Sequence, residues 1–170
     1  AHVTLVNASV SVEPPMFVDV VNVTSAADMA DVVKSKAAEQ DIIIMTAAVA
    51  DFCPSHPADE KIKKNDSSYE SVIELERTED ILSYLGAHKA KGQLICGFSM
   101  ETQNMLENSK AKLAKKNADM IVANNLKVAG AGFGTDTNVV TLITADDCTE
   151  LEIMDKSCVA ARIMDRLLQM

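Results

Sequence analysis

Asp51, Lys61, Lys63 and Lys64 are the residues of this chain best suited to chemistry, one carboxylate and three ammonium groups closely following the apolar run Asp41-Ile-Ile-Ile-Met-Thr46. A carboxylate is a hard ligand for a divalent cation, and lysines cancel charge on non-bridging phosphate oxygens, so the set suits a metal-bound polyphosphate. The run before it is short, β-branched and apolar on both faces, the pattern of a buried parallel strand. Asp51 and the lysines therefore follow a strand's carboxyl end, where open α/β sheets bind ligands. A basic run in a polar loop is, on its own, more often a solvated surface.

The remaining elements must position that stretch. Strand-like and helix-like segments alternate along the chain, which predicts a layered, Rossmann-like three-layer α/β domain with a mostly parallel sheet. Val3 to Val6 and Val18 to Val23 read as strands on either side of the Pro14-Pro15 loop. Thr24 or Ser25 then caps a helix over Ala26 to Glu39, and Asp41 to Thr46 returns as the central strand. Cys53 to Ser68 has prolines, mixed charge and no periodicity, and is expected to be a long exposed loop, mobile when empty. Val72 to Leu75 alternates as a strand, and a helix begins at Thr78, with Thr78 as hydroxyl cap and carboxylates in its first turn. Gln93 to Phe98 is a buried strand, Glu101 to Lys116 an amphipathic helix and Met120 to Ala123 a short strand. Gly130, Gly132 and Gly134 suit a conformational role in the connection from Asn124 to Asn138. A C-terminal antiparallel pair, Val139 to Ile143 with Glu150 to Met154, precedes a last helix with Val159, Ile163 and Leu167 on one face. Neither an internal repeat nor a second domain is visible, so residues 1–170 read as one domain.

Composition narrows the function classes. A net charge of −9 with 4% aromatic residues argues against nucleic acid as a partner. No apolar stretch approaches the roughly 20 residues that span a bilayer, and no basic segment leads into an apolar leader, so no membrane role is expected and the cytoplasm is the default location. Cys53, Cys96, Cys148 and Cys158 lack metal-ligand spacing and read as free thiols. Neither a GxxxxGK[ST] loop nor a GxGxxG turn opens a helix, which removes the standard nucleotide cradles and a dinucleotide-dependent oxidoreductase. His2, His56 and His88 are not near a GxSxG serine, so a catalytic triad is not supported.

Six segments, taken in order and spacing, carry a resemblance: Ala47-Ala-Val-Ala-Asp-Phe, Lys61-Ile-Lys-Lys, Arg77-Thr-Glu-Asp-Ile-Leu, Gly97-Phe-Ser-Met-Glu-Thr, Lys116-Asn-Ala-Asp-Met-Ile-Val-Ala-Asn and Gly132-Phe-Gly-Thr-Asp-Thr-Asn. Together they resemble the bacterial phosphopantothenoylcysteine synthetases, usually the C-terminal half of a bifunctional coenzyme A biosynthesis protein. The resemblance implies a CTP-dependent ligase that converts phosphopantothenate to an acyl-cytidylate and couples it to cysteine. It further implies that Met45, Thr46, Ala47 and Phe98 border the nucleotide and that Asp51 acts on the sugar-triphosphate region, directly or through Mg²⁺. By the same resemblance Lys61 is catalytic, stabilising charge on the phosphates and the intermediate; Thr78, Glu79, Asp80 and Ile81 form another wall, and Lys112 and Lys116 face the nucleotide. A homodimer and a fused or partner phosphopantothenoylcysteine decarboxylase belong to the same implication.

The chain also departs from that pattern. Its first residues correspond to the strand after the family's first helix, and the family's preceding glycine-rich turn and Asn-x-Ser-Ser-Gly segment have no counterpart in it. The expectation is an amino-terminally incomplete domain that binds CTP weakly and turns over poorly. Cys53 stands where an arginine is common, Thr78-Glu79 where a proline often precedes the aspartate, and Ser99-Met100 where alanines are usual. The competing reading from another class is a non-catalytic nucleotide-binding or dimerisation fragment.

Overall fold

The computed structural model describes residues 1–8, 10, 12–58, 60–61, 72–101, 104–125 and 134–170, with backbone alone at Glu101. In chain order the elements are β1 (Thr4–Ala8), β2 (Asp19–Val23), α1 (Ala26–Ala37), β3 (Ile42–Met45), β4 (Phe52–Pro54), β5 (Leu75–Arg77), α2 (Ile81–Ala87) and β6 (Leu94–Glu101). There follow α3 (Met105–Lys115), β7 (Met120–Asn125), β8 (Thr137–Asn138), β9 (Val140–Ile143), β10 (Cys148–Glu150), β11 (Met154–Asp155) and α4 (Lys156–Leu167). They form two compact units, Ala1–Val33 with Ala48–Asp80, and Lys34–Ala47 with Ile81–Met170. Each unit is discontinuous in sequence, so no break in composition marks the division.

In the first unit β1 and β2 pair in parallel, from Thr4 opposite Asp19 to Ala8 opposite Val23. The start of α1 is a capping box: the Asp28 amide donates to Ser25 Oγ at 3.1 Å, and the Ser25 amide donates back to Asp28 Oδ2 at 3.0 Å. Thr24 Oγ1 donates a second bond to the same carboxylate at 2.9 Å, and the Thr24 amide a third at 3.3 Å. Hydrogen bonding to its charged form holds Asp28 below the usual carboxylate range, Ser25 being the largest cause. β4 and β5 form an antiparallel ribbon with Phe52 opposite Arg77. The ribbon corrects two expectations, since Phe52–Pro54 opens what reads as a loop and β5 lies later than the apolar alternation from Val72 suggests.

The second unit contains a five-stranded sheet ordered β10-β9-β7-β6-β3. β3, β6 and β7 are mutually parallel, and β9 and β10 continue antiparallel. This bears out the α/β class with a parallel centre and a C-terminal antiparallel pair. The second strand of that pair starts at Cys148, because Thr144 and Asp147 close the turn early through a 2.9 Å backbone bond. β3 is an edge of the described sheet, not its centre, and Ile44 is 36% exposed. Cys96, Met120, Val122, Val140 and Leu142 of the sheet pack with Val159, Ile163 and Leu167 of α4 in one core cluster. The 4-residue spacing of these helical residues supplies the buried stripe.

α2 approaches β6 over Gly97, where an added Cβ would lie 2.6 Å from Leu82 Cδ2. Its far end meets the end of α3 at Gly86, where a Cβ would come 1.8 Å from the Lys116 carbonyl oxygen. At the other, amino-terminal edge of β6, the Ile95 amide donates to Asp119 Oδ2 at 2.6 Å, while Lys89 Nζ lies 2.5 Å from Oδ1. That pair is largely buried and each carboxylate oxygen has a donor, so it anchors backbone.

Candidate functional site

In the first unit the segment after β3 and the segment before α2 are tied together by Thr78. Its amide donates to the Asp51 carbonyl at 3.0 Å, and its hydroxyl donates to the Ala50 carbonyl at 2.5 Å. Thr78 is therefore not the helix cap expected from sequence: α2 starts at Ile81 with no acidic residue in its first turn. The hydroxyl instead clamps two loops, which brings Asp51 alongside the Thr78-Glu79-Asp80 segment. Asp51, Glu79 and Asp80 are exposed, and Thr78 is half-buried.

Lys61 is exposed in irregular chain, while Lys63 and Lys64 lie outside the described residues. Most of the expected loop from Cys53 to Ser68 does too, as does the glycine segment up to residue 133. Gly134 has φ 71°, in keeping with a conformational role. His56 sits 3.8 Å from Glu74, both side chains exposed, and Cys53 Sγ lies 3.9 Å from Glu76 Oε1 across the ribbon.

In the second unit β3 stops at Met45, opposite Gly97, while β6 runs on to Glu101. The β3 side of β6 thus loses its ladder partner at Phe98. Lys112 Nζ reaches this point and donates to the Phe98 carbonyl at 2.8 Å. Lys112 is half-buried and makes no ion pair among the described residues, so a neutral oxygen orders its ammonium without cancelling its charge. The arrangement places a cation at the carboxyl half of a parallel strand, beside Met45 and Phe98, and an anionic group is its natural complement. Thr46 and Ala47 continue from Met45 as exposed chain.

One turn further along α3, Lys116 Nζ donates to Ser83 Oγ at 2.9 Å. Ser83 lies in the first turn of α2, two residues after Ile81. Ile81 itself is 4% exposed, so its side chain belongs to the core and only its backbone is free to border a ligand. The structure thus forms one group from Asp51 and Thr78, a second from Met45, Phe98 and Lys112, and a third from Ile81 and Lys116 through Ser83. Sequence reasoning missed Ser83 and Gly86. Neither belongs to a charge pattern, and their importance arises from a helix-to-helix contact that periodicity does not encode.

The whole chain, residues 1–170, matches the family described as DNA/pantothenate metabolism flavoprotein C-terminal domain. The coenzyme A biosynthesis bifunctional protein CoaBC of Bacillus subtilis (strain 168) is 45% identical over 169 residues, covering 98% of this chain and 41% of that protein. A protein named cysteine/cysteine sulfinic acid decarboxylase, from an unknown prokaryotic organism, is 44% identical over 170 residues, 99% of this chain and 47% of that one. The crystal structure of the C-terminal domain of CoaBC superposes with a TM-score of 0.80 at 40% identity, covering 99% of this chain and 75% of the other. The chain thus spans less than half the length of these two curated relatives. Among the described residues no helix is long and apolar enough to cross a membrane.

Proposed function

From its membership of the DNA/pantothenate metabolism flavoprotein C-terminal domain family, to which this chain belongs over its full length, we propose that it is the phosphopantothenate–cysteine ligase part of a coenzyme A biosynthesis protein. In this reading a phosphopantothenate carboxylate oxygen attacks the α-phosphorus of CTP, and the bond to pyrophosphate breaks. The cysteine amine then attacks the acyl carbon, loses a proton and displaces CMP. The observation that supports it best is Lys112, a half-buried ammonium held by the Phe98 carbonyl just beyond the end of β3. Fixed cations that need no reorganisation are the main contribution a protein can make to phosphoryl and nucleotidyl transfer.

Met45, Thr46, Ala47, Phe98, Lys112, Lys116 and the Ile81 backbone would contact the nucleotide, and so, as the family resemblance implies, would Thr78, Glu79 and Asp80. Lys61 would stabilise charge on the phosphates and the acyl-cytidylate. Among the described residues no three His, Cys, Asp or Glu side chains converge on one point. A single exposed carboxylate suits Mg²⁺, which keeps several waters and binds through one or two carboxylates and the substrate's phosphates. Asp51, exposed and tethered beside Thr78, would be its protein ligand; the cation's part would be to neutralise phosphate charge. A homodimer, a fused decarboxylase domain and a cytoplasmic location complete the proposal.

The test is calorimetric titration of this chain with CTP and Mg²⁺, followed by measurement of pyrophosphate and CMP release. The expected result is CTP binding lost in Asp51→Asn, and release of both products only when phosphopantothenate and cysteine are present. For Lys61→Ala, turnover should fall by about 10²–10³, the usual cost of removing one charge-stabilising group. Binding without product release would instead establish the non-catalytic nucleotide-binding fragment. Carbon dioxide release from cysteine without CTP would place the activity with the relative named as a decarboxylase.

A further inference from the structure

Lys116 is gripped by α2 at both ends of its side chain. Its backbone is locked by Gly86, which has no room for a Cβ against the Lys116 carbonyl, and by Asn117 Nδ2 donating to the Gly86 carbonyl at 2.8 Å. The end of α3 is itself fixed as a Schellman motif. The Ala118 amide donates to the Leu113 carbonyl and the Asn117 amide to the Ala114 carbonyl, both at 3.2 Å, with Asn117 at φ 48°. Three residues back on the same face of α2, Ser83 accepts from the Lys116 ammonium at 2.9 Å. A lysine side chain ordinarily gives up considerable rotamer freedom to hold one place. Here the fold has removed much of that freedom beforehand.

We propose that Ser83 is a positioning residue for Lys116: with Gly86 fixing the backbone, its hydroxyl sets the location of the ammonium that an anionic ligand of this site then meets. This inference rests on the proposed reading in which Lys116 faces the nucleotide, and its ligand is accordingly a nucleoside triphosphate.

Two measurements test it. In the ligand-free chain the ¹H–¹⁵N signal of the Lys116 ammonium should be protected from solvent exchange. Ser83→Ala should reduce that protection and Ser83→Thr should retain it. In titrations with CTP and Mg²⁺, Ser83→Ala should weaken binding about fivefold, the scale of one ordinary hydrogen bond. Ser83→Thr should stay within about twofold of the parent, and Ser83→Ala should add nothing in a Lys116→Met background. An ammonium equally protected without the hydroxyl overturns the proposal, as does an equal loss of affinity from Ser83→Ala in the Lys116→Met background. If protection follows Ser83 but neither the parent nor Lys116→Met binds CTP, Ser83 still positions Lys116 and the nucleotide reading is what fails.

Discussion

The two units bury their apolar residues in opposite ways. In the unit containing the five-stranded sheet, Ile95, Met120, Ile121, Val122, Ile143 and Leu167 are completely enclosed. In the other, the buried apolar residues among those described are Val23, Met29, Ala30 and Val33, while Phe17 is 98% and Leu75 60% exposed. The first is a scaffold in which lysines on α3 are ordered by fixed acceptors. The second is built from two-stranded sheets, which are marginal by themselves, and it carries Asp51, Lys61 and the Thr78–Asp80 segment. Lysines ordered by fixed acceptors and exposed charged segments thus fall in different parts of one short chain.

Thiol reactivity offers the largest expected contrast. Cys96, enclosed in the sheet, has its thiol pushed up to about 12, first by burial and then by the nearby Asp119 charge. Near pH 8 only about one molecule in 10⁴ would carry the reactive thiolate there. Cys53 is only partly covered on the β4–β5 ribbon. With Cys148 and Cys158 replaced by serine, a disulfide reagent should modify Cys53 at least about a thousandfold faster than Cys96. Comparable rates under native conditions would mean that the sheet opens as readily as the ribbon.

Stability should divide the same way. Leu167→Ala empties a fully enclosed site and is expected to cost about 2–5 kcal/mol, whereas Leu75→Ala on the exposed ribbon should change stability by about 0.5 kcal/mol or less. Urea denaturation of the two variants measures both. Equal losses would show that Leu75 is covered in solution and that the contrast between the units is overstated.

How much of this was legible in the sequence follows the same division. Val159, Ile163 and Leu167, at helical spacing, identified the buried face of α4 correctly, and the β-branched runs identified β6 and β7 to within a few residues. In these places local pattern and tertiary burial agree. Phe52–Pro54 did not read as a strand because Pro54 and Pro57 signal a loop, and only pairing with residues 75–77 makes it one. The family resemblance implied roles for Lys112 and Lys116, which the charge pattern alone did not. The acceptors that hold them, a backbone carbonyl and a hydroxyl on another helix, leave no signature in the sequence. Thr78 shows the converse: its type and place suit a cap, but its hydroxyl is taken by Ala50 from a segment 28 residues away.

Acid titration gives the smallest expected effect and compares the units through one carboxylate each. Asp28 is lowered chiefly by the Ser25 hydroxyl, then by Thr24; Asp147 is lowered chiefly by the Thr149 hydroxyl, then by the Cys148 amide, with Arg166 a minor cause at 3.4 Å. A carboxylate whose folded-state pKa is depressed contributes stability that is complete above its unfolded value. That contribution disappears as pH falls through the folded value. Both carboxyl ¹³C signals should therefore titrate with midpoints below 3.8, the ordinary value for the group. Ser25→Ala should move the Asp28 midpoint upward and leave Asp147 unchanged, since the two networks share no residue. A shift of both together would mean that the two units respond to acid as one body, and their independence in local structure would not extend to their energetics.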